Sequence, residues 1–80
     1  MRMRERFTMT GDLGAATLPA WVRRHAGRLG LEAEITVAEP ARMVLDLAGP
    51  PELLDAMEMG CLLGPIEVWV DSIRRDSLNS

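Results

Sequence analysis

The chain of 80 residues contains no lysine, tyrosine or glutamine, one cysteine and one histidine. Its apolar runs are four residues long at most, so no segment is predicted to span a bilayer. The single cysteine, Cys61, cannot form a disulfide within the chain. The single histidine, His25, excludes most zinc sites and most catalytic triads that use histidine as the base. The sequence therefore predicts neither a metal site nor any other cofactor.

Length and charge restrict the function classes further. Eighty residues correspond to one domain, 1–80, with a single core and no room for a deep cleft. Nine arginines stand against twelve acidic residues, and the net charge of −3 argues against nucleic-acid binding through phosphate neutralisation. The N-terminal residues lack the charged start, apolar stretch and small-residue cleavage site of a secretory signal. We therefore expect a cytoplasmic protein with no membrane or nucleic-acid partner.

Hydrophobic periodicity predicts two helices. The first covers 18–29, with Thr17 as its N-cap, Pro19 in its first turn and Gly30 as a left-handed cap. The second covers 52–63 and ends before a Gly-Pro pair. Its buried side is predicted to consist of Leu53, Leu54, Met57, Cys61 and Leu62.

Four segments alternate apolar and polar residues with a period of two, which predicts strands. They are 4–10, 33–38, 43–48 and 66–71. The core is expected to span about 4–73, and 74–80 is predicted to be a solvated tail. The second and third strands are joined by a link too short for a parallel crossover, so we expect a hairpin. The resulting βαββαβ order predicts an α+β, ferredoxin-like fold, in which one antiparallel sheet carries both helices on one face.

The loop between the first strand and the first helix resembles a motif of acylphosphatases. That family carries G-x-V-Q-G-V-G-F-R there, and this chain reads GDLGAATLP at 11–19. The helix continues as AWVRRHAGRLGL at 20–31, which is similar to the family's first helix and its closing A-x-x-L-G-L. The segment GPPELL at 49–54 resembles the family's entry into the second helix. The resemblance covers 6–73 and implies the acylphosphatase fold.

Acylphosphatases cleave the carboxyl–phosphate bond of acyl phosphates. The resemblance implies that an arginine at the end of the loop motif holds the phosphate and that an asparagine on the second strand orients the attacking water. In this chain the two positions are Pro19 and Val37, and neither side chain forms hydrogen bonds. We therefore predict no catalytic residue, and a domain that acts by binding to itself, to a protein partner or to a small anion. A weak or altered acylphosphatase that uses other residues is the alternative.

The backbone of the loop remains a candidate anion site. Successive N–H groups ahead of a helix N-terminus favour negative charge, so weak phosphate binding is a possible use of this loop. An ordinary strand-to-helix turn is the other interpretation, and Asp12 within the loop argues against a bound phosphate. The candidate residues are Gly11, Gly14, Ala15, Ala16, Thr17 and Leu18.

Trp69 is the candidate for an interaction surface. Because Val68 and Val70 are expected to face the core, Trp69 should lie on the helix-free face of the sheet, with Val44 and Ile73 as neighbours. Such a face would serve a homodimer or another protein partner, unless the C-terminal tail covers it.

Three further features have simpler interpretations. His25 is predicted to be a residue at the core boundary, and Cys61 a small apolar filler of the second helix. The group of Arg23, Arg24 and Arg28 is predicted to be a solvated helix face, or one that meets an acidic partner.

Overall fold

The structure, a computed structural model, describes residues 1–79. It contains four strands and two helices, and the predicted βαββαβ order is confirmed. The elements are β1 (Met3–Asp12), α1 (Leu18–Arg28), β2 (Glu32–Ala38), β3 (Arg42–Gly49), α2 (Pro51–Leu63) and β4 (Trp69–Ser77).

The four strands form one antiparallel sheet in the order β2-β3-β1-β4. The central strands β1 and β3 pair from Met3 opposite Gly49 to Thr10 opposite Arg42. The predicted β2–β3 hairpin is confirmed, and the N–H of Glu39 donates to the Arg42 carbonyl at 2.8 Å across its turn. This ferredoxin-like arrangement brings the end of β1 and the β2–β3 turn to the same end of the sheet.

The core lies between the sheet and the two helices. Alternate residues of the central strands point to the helices, and each helix buries one stripe against them, as the two periodicities require. The fully buried side chains are Phe7, Met9, Met43, Leu45 and Leu47 from the sheet, Leu18, Val22 and Ala26 from α1, and Leu54, Met57 and Cys61 from α2. No helix within residues 1–79 is long and apolar enough to span a membrane.

The two ends of α1 follow the sequence signals differently. Gly30 has φ +73°, the left-handed value that favours glycine, and the Leu31 N–H donates to the Ala26 carbonyl at 2.9 Å. The predicted left-handed cap is therefore confirmed. Thr17 occupies the N-cap position, but its side chain makes no capping hydrogen bond, and only its carbonyl accepts, from the N–H of Trp21 at 3.0 Å.

The predictions for the C-terminal part were wrong in two respects. β4 begins at Trp69 and runs to Ser77, so 74–77 belong to the sheet rather than to a solvated tail. Ile66 does not face the core but is 97% exposed, because the chain turns after Pro65, whose carbonyl accepts from the N–H of Val68 at 3.1 Å. Leu78 continues the pairing by donating its N–H to the Arg4 carbonyl at 2.9 Å. The last residue of the predicted tail, position 80, lies outside the described residues.

Arg75 explains why a polar segment joins the sheet. Its guanidinium lies on the helix-covered face, 5.1 Å from the centre of the Phe7 ring. It forms ion pairs with Glu5 of β1 at 2.7 Å and with Asp55 and Glu58 of α2 at 2.8 Å each. These carboxylates raise its pKa above the ordinary arginine value, the Glu5 hydrogen bond most of all. Ion pairs therefore hold this part of β4 in the sheet, whereas apolar side chains hold the other strands against the helices.

One prediction for α2 was also wrong. Leu62 is exposed, whereas it was expected on the buried side. Four helical positions separate the buried pair Met57 and Cys61, and Leu62 lies about 100° further round the helix, beyond the stripe that faces the sheet.

Candidate functional site

The loop between β1 and α1 is held against the β2–β3 turn by backbone hydrogen bonds. The N–H of Leu13 donates to the Pro40 carbonyl at 2.7 Å, and the N–H of Gly11 donates to the Ala41 carbonyl at 3.3 Å. Gly11 has φ +152°, and a Cβ there would collide with the Trp69 carbonyl of β4. Glycine is thus required where β1 leaves the sheet, and the loop that follows has a fixed starting point.

A cavity of about 210 Å³ lies between this loop and the β2–β3 turn. The loop that the sequence analysis predicts as a candidate anion site forms part of its wall. Its wall is made mainly of small and apolar residues, namely Leu13, Gly14, Ala15, Ala16, Pro19, Ala38, Pro40 and Met43, together with Glu39.

Backbone N–H groups of the loop beside this cavity have no backbone partner in the described part of the chain. Within residues 1–79, no backbone acceptor engages the N–H groups of residues 14–17. Three candidate residues for anion binding, Gly14, Ala15 and Ala16, line the cavity, whereas Leu18 is buried in the core. The N–H of Leu18 is used by the Ala15 carbonyl at 3.1 Å. The donors that remain for a ligand are therefore those of 14–17.

The charged group at the cavity is an anion. Glu39 is the one ionisable residue among the residues that line it, and Pro19 occupies the wall where α1 begins. Arg42 lies 3.5 Å from the Glu39 carboxylate, on the turn, and is not a lining residue. Sequence reasoning missed Glu39, although its place in the hairpin turn, at the same end of the sheet as the loop, was a signal for it. The cavity therefore offers amide donors beside a carboxylate.

Val37 does not line the cavity. A β-bulge at Thr36 shifts the register of β2, so that Val37 pairs with Val44 and Ala38 pairs with Met43. Val44 lies opposite Thr8, whose neighbours Phe7 and Met9 point to the helices, so Val37 shares the helix-free face. The residue of β2 that lines the cavity is Ala38. The position matched to the family's asparagine by sequence thus points away from the site.

The helix-free face of the sheet is polar and internally paired. Arg6 and Asp46 form a two-point ion pair, with Nε to Oδ1 at 2.8 Å and Nη2 to Oδ2 at 3.1 Å. This hydrogen bond from Arg6 lowers the pKa of Asp46. The hydroxyl oxygens of Thr10 and Ser72 lie 2.7 Å apart across β1 and β4. These polar groups thus already have partners within the chain.

The predicted interaction face of Val44, Trp69 and Ile73 was wrong as a continuous surface. Ile73 pairs with Met9 and packs against the core, so it lies on the opposite, helix-covered face. The reason is a register shift between Thr10 and Gly11, which changes the alternation along β4.

Trp69 itself lies apart from Val44. It pairs with Asp12, whereas Val44 pairs with Thr8, four residues back along β1 and thus about 13 Å away along the strand. Val44 is buried, and Trp69 is 70% exposed with its Nε1–H donating to the Asp71 carboxylate at 2.8 Å. Trp69 is therefore an isolated exposed aromatic at the start of an edge strand.

His25 and Cys61 both lie in the helix layer, away from the cavity. The imidazole of His25 stacks on Trp21 with ring centres 5.1 Å apart, and its Nε2 is buried without a hydrogen-bond partner among the described residues. Cys61 is buried in the core, and this burial raises the pKa of its thiol to about 12. Within residues 1–79, no cluster of three or more histidine, cysteine or acidic side chains could hold a metal ion.

Comparisons with known proteins bear on this geometry. No protein-family model matches the sequence, and no curated protein matches it. An acylphosphatase from Coxiella burnetii has a similar structure, with a TM-score of 0.88 and 15% identity over 98% of this chain and 82% of that protein. An acylphosphatase from Bacillus subtilis is similar with a TM-score of 0.86 and 18% identity over 100% of this chain and 88% of that protein.

Full-length HypF, solved in a phosphate- and nucleotide-bound form, is similar over 100% of this chain and 11% of its own length, with a TM-score of 0.82 and 11% identity. The same fold therefore occurs as a small protein and as a part of a much larger one. At these identities the likeness shows the fold. The chain has the acylphosphatase fold, and the resemblance predicted from its loop and helix motifs is confirmed at that level.

Proposed function

We propose that this chain is a non-catalytic domain of the acylphosphatase fold, which acts by binding rather than by hydrolysis. The observation that carries the proposal is the composition of the cavity, where Pro19 and Glu39 stand at the loop and no guanidinium is among the lining residues.

The charge of the cavity opposes an acyl phosphate. A phosphoryl group in this position needs a forked cation beside the loop amides to hold its charge before and during bond cleavage. Glu39 places a negative charge there instead, and Arg42 pairs with that carboxylate at 3.5 Å but does not line the cavity. Amide donors and the partial charge of a helix N-terminus remain, and these alone give weak binding.

The cavity also lacks a group that could position water. Ala38 contributes a methyl group from β2, and Val37 lies on the other face of the sheet. Neither side chain donates or accepts a hydrogen bond. An attacking water would therefore be held only by backbone groups and by Glu39.

Weak anion binding by the N–H groups of 14–17 is the part of the family's chemistry that this chain retains in our proposal. In a titration with inorganic phosphate followed by ¹H–¹⁵N NMR, we expect shifts confined to the loop and no saturation below about 1 mM. Glu39→Gln should strengthen this binding several-fold, because it removes the opposing charge. Glu34→Gln removes the same charge from an exposed site outside the cavity and should leave the affinity unchanged.

Introducing an arginine and an asparagine at the cavity tests the same proposal by a gain of phosphate binding. Pro19→Arg combined with Ala38→Asn should raise phosphate affinity, since both residues line the cavity. Pro19→Arg combined with Val37→Asn should gain less, because Val37 pairs with Val44 on the far face. Saturable micromolar phosphate binding by the unmodified chain would contradict the expected weak binding, and hydrolysis of an acyl phosphate would contradict the proposed function. Our proposal also places the protein in the cytoplasm.

A further inference from the structure

The two helices carry opposite charges. α1 contains Arg23, Arg24 and Arg28 and no carboxylate. α2 contains Glu52, Asp55 and Glu58 and no arginine. The chain as a whole mixes both signs, so this separation is a property of the helix layer.

The arginines of α1 are exposed and form no ion pair within residues 1–79. Arg24 and Arg28 lie one turn apart on the same side of the helix, where like charges destabilise each other. Five of the remaining six arginines in the described chain form ion pairs. The outer face of α1 therefore presents positive charge with nothing in the same chain to neutralise it.

The outer face of α2 presents apolar side chains beside its carboxylates. Met59 is 61% exposed and Leu63 78% exposed, and they lie four positions apart on one ridge of the helix. Leu62 is also exposed next to them. Glu52 extends the same outer face toward the helix N-terminus and forms no ion pair with a described residue. This surface combines an apolar centre with an acidic end.

We infer that the helix layer is an interface between two copies of this chain. β1 and β3 are antiparallel, and each is followed by its own crossover helix, so α1 and α2 run in opposite directions. A two-fold axis between the helices, parallel to both, places α1 of each copy over α2 of the other. Arg24 and Arg28 of one copy then lie toward Glu52 of its partner, the α2 carboxylate that is not paired with Arg75, and this contact occurs twice, as an isologous interface requires.

The size of the face fits this occupant. The molecule measures 34 × 24 × 18 Å, so the rectangle that encloses its broad face covers about 800 Å², which is large enough for the area that one partner buries in a standard stable interface. The opposite broad face, the helix-free side of the sheet, is polar and carries the internal Arg6–Asp46 pair. A second copy satisfies both the positive and the negative half of the helix layer, which a uniformly acidic or basic partner would not. The inference deepens the proposed function by naming the partner, and it rests on that proposal.

Complementary charge reversal tests the inference directly. We expect the parent protein to sediment at about twice its 8.8 kDa mass in analytical ultracentrifugation. Arg24→Glu with Arg28→Glu, and separately Glu52→Arg with Met59→Arg, should each shift the protein to monomer, since all four residues are exposed in one copy. A mixture of the two double variants should recover the dimer mass as a one-to-one heterodimer. Arg4→Glu is the matched control, because Arg4 also lacks an ion pair but lies on β1, outside the helices.

The outcomes separate the inference from the proposed function. A monomeric parent at millimolar concentration, or a dimer that persists in both double variants and is lost in Trp69→Ser, would overturn the helix-layer interface. Either result leaves the proposed absence of catalysis standing if the same samples do not hydrolyse an acyl phosphate. Hydrolysis by the parent would contradict the proposed function whatever its mass. The inference is supported if each double variant is a monomer by itself and the mixture of the two forms a dimer.

Discussion

The imidazole of His25 in α1 occupies the space in which a Cβ at position 60 of α2 would lie, so Gly60 leaves room for this side chain between the two helices. The His25 ring also stacks on Trp21, and its Nε2 is buried. A glycine inside a helix costs about 1 kcal/mol relative to alanine, and here that cost permits close helix packing.

Gly60→Ala should therefore destabilise the protein by roughly 1–2 kcal/mol, because overpacking outweighs the gain in helix propensity. Gly27→Ala in α1 is the matched control, since no atom lies within 4 Å of its added Cβ. That variant should gain roughly 0.5–1 kcal/mol. Urea unfolding followed by circular dichroism measures both, and a Gly60→Ala variant as stable as the parent would rule out the close contact.

Arg75→Met should lower the free energy of unfolding by roughly 2–3 kcal/mol, because it leaves three carboxylates without their partner and removes the stacking on Phe7. The neighbouring Arg74 is exposed and pairs only with Asp76, so Arg74→Met should change stability by less than about 0.5 kcal/mol. Equal effects of the two substitutions would show that β4 is not fixed through Arg75.

The Arg6–Asp46 pair predicts a specific acid dependence. Since Arg6 lowers the pKa of Asp46 below its ordinary 3.8, the pair stabilises the fold above that pH, and the contribution is lost as pH falls through the lowered value. Asp46→Asn should reduce stability at pH 7 by roughly 0.5–1 kcal/mol. It should also flatten the decline of stability below about pH 4. An unchanged acid limb in urea unfolding at pH 2–5 would argue against the pair.

Cys61 should be inert in the folded protein. Burial and the raised pKa of about 12 leave almost no thiolate at pH 8. A disulfide reagent such as 5,5′-dithiobis(2-nitrobenzoic acid) should label it only as the protein unfolds, and at full stoichiometry in 6 M guanidinium. Rapid stoichiometric labelling of the folded protein would contradict its position in the core.

The sequence predicts most of the fold because its helices and first three strands have regular apolar periods. It fails at β4, where Ile73 faces the core but the next inward residue, Arg75, is charged. Periodicity of apolar residues cannot detect a strand whose inward group is neutralised by three distant carboxylates. The structure supplied those contacts.

The candidate site was only partly predictable for a related reason. The loop and Pro19 follow from local sequence, and both lie at the cavity. Ala38, rather than Val37, lines the cavity because of the bulge at Thr36. A one-residue shift of register reverses the face of every side chain that follows it. Glu39 enters the cavity because the β2–β3 turn packs on the loop, which is a contact between segments more than twenty residues apart.

The proposed function requires that this chain does not hydrolyse acyl phosphates, and the release of phosphate from benzoyl phosphate at neutral pH measures this directly. The acylphosphatase from Bacillus subtilis, which shares the fold, serves as the positive control. We expect a rate equal to that of buffer at the highest attainable concentration of this protein. Turnover that rises with protein concentration, and that is abolished by Ala15→Asp in the cavity wall, would contradict it.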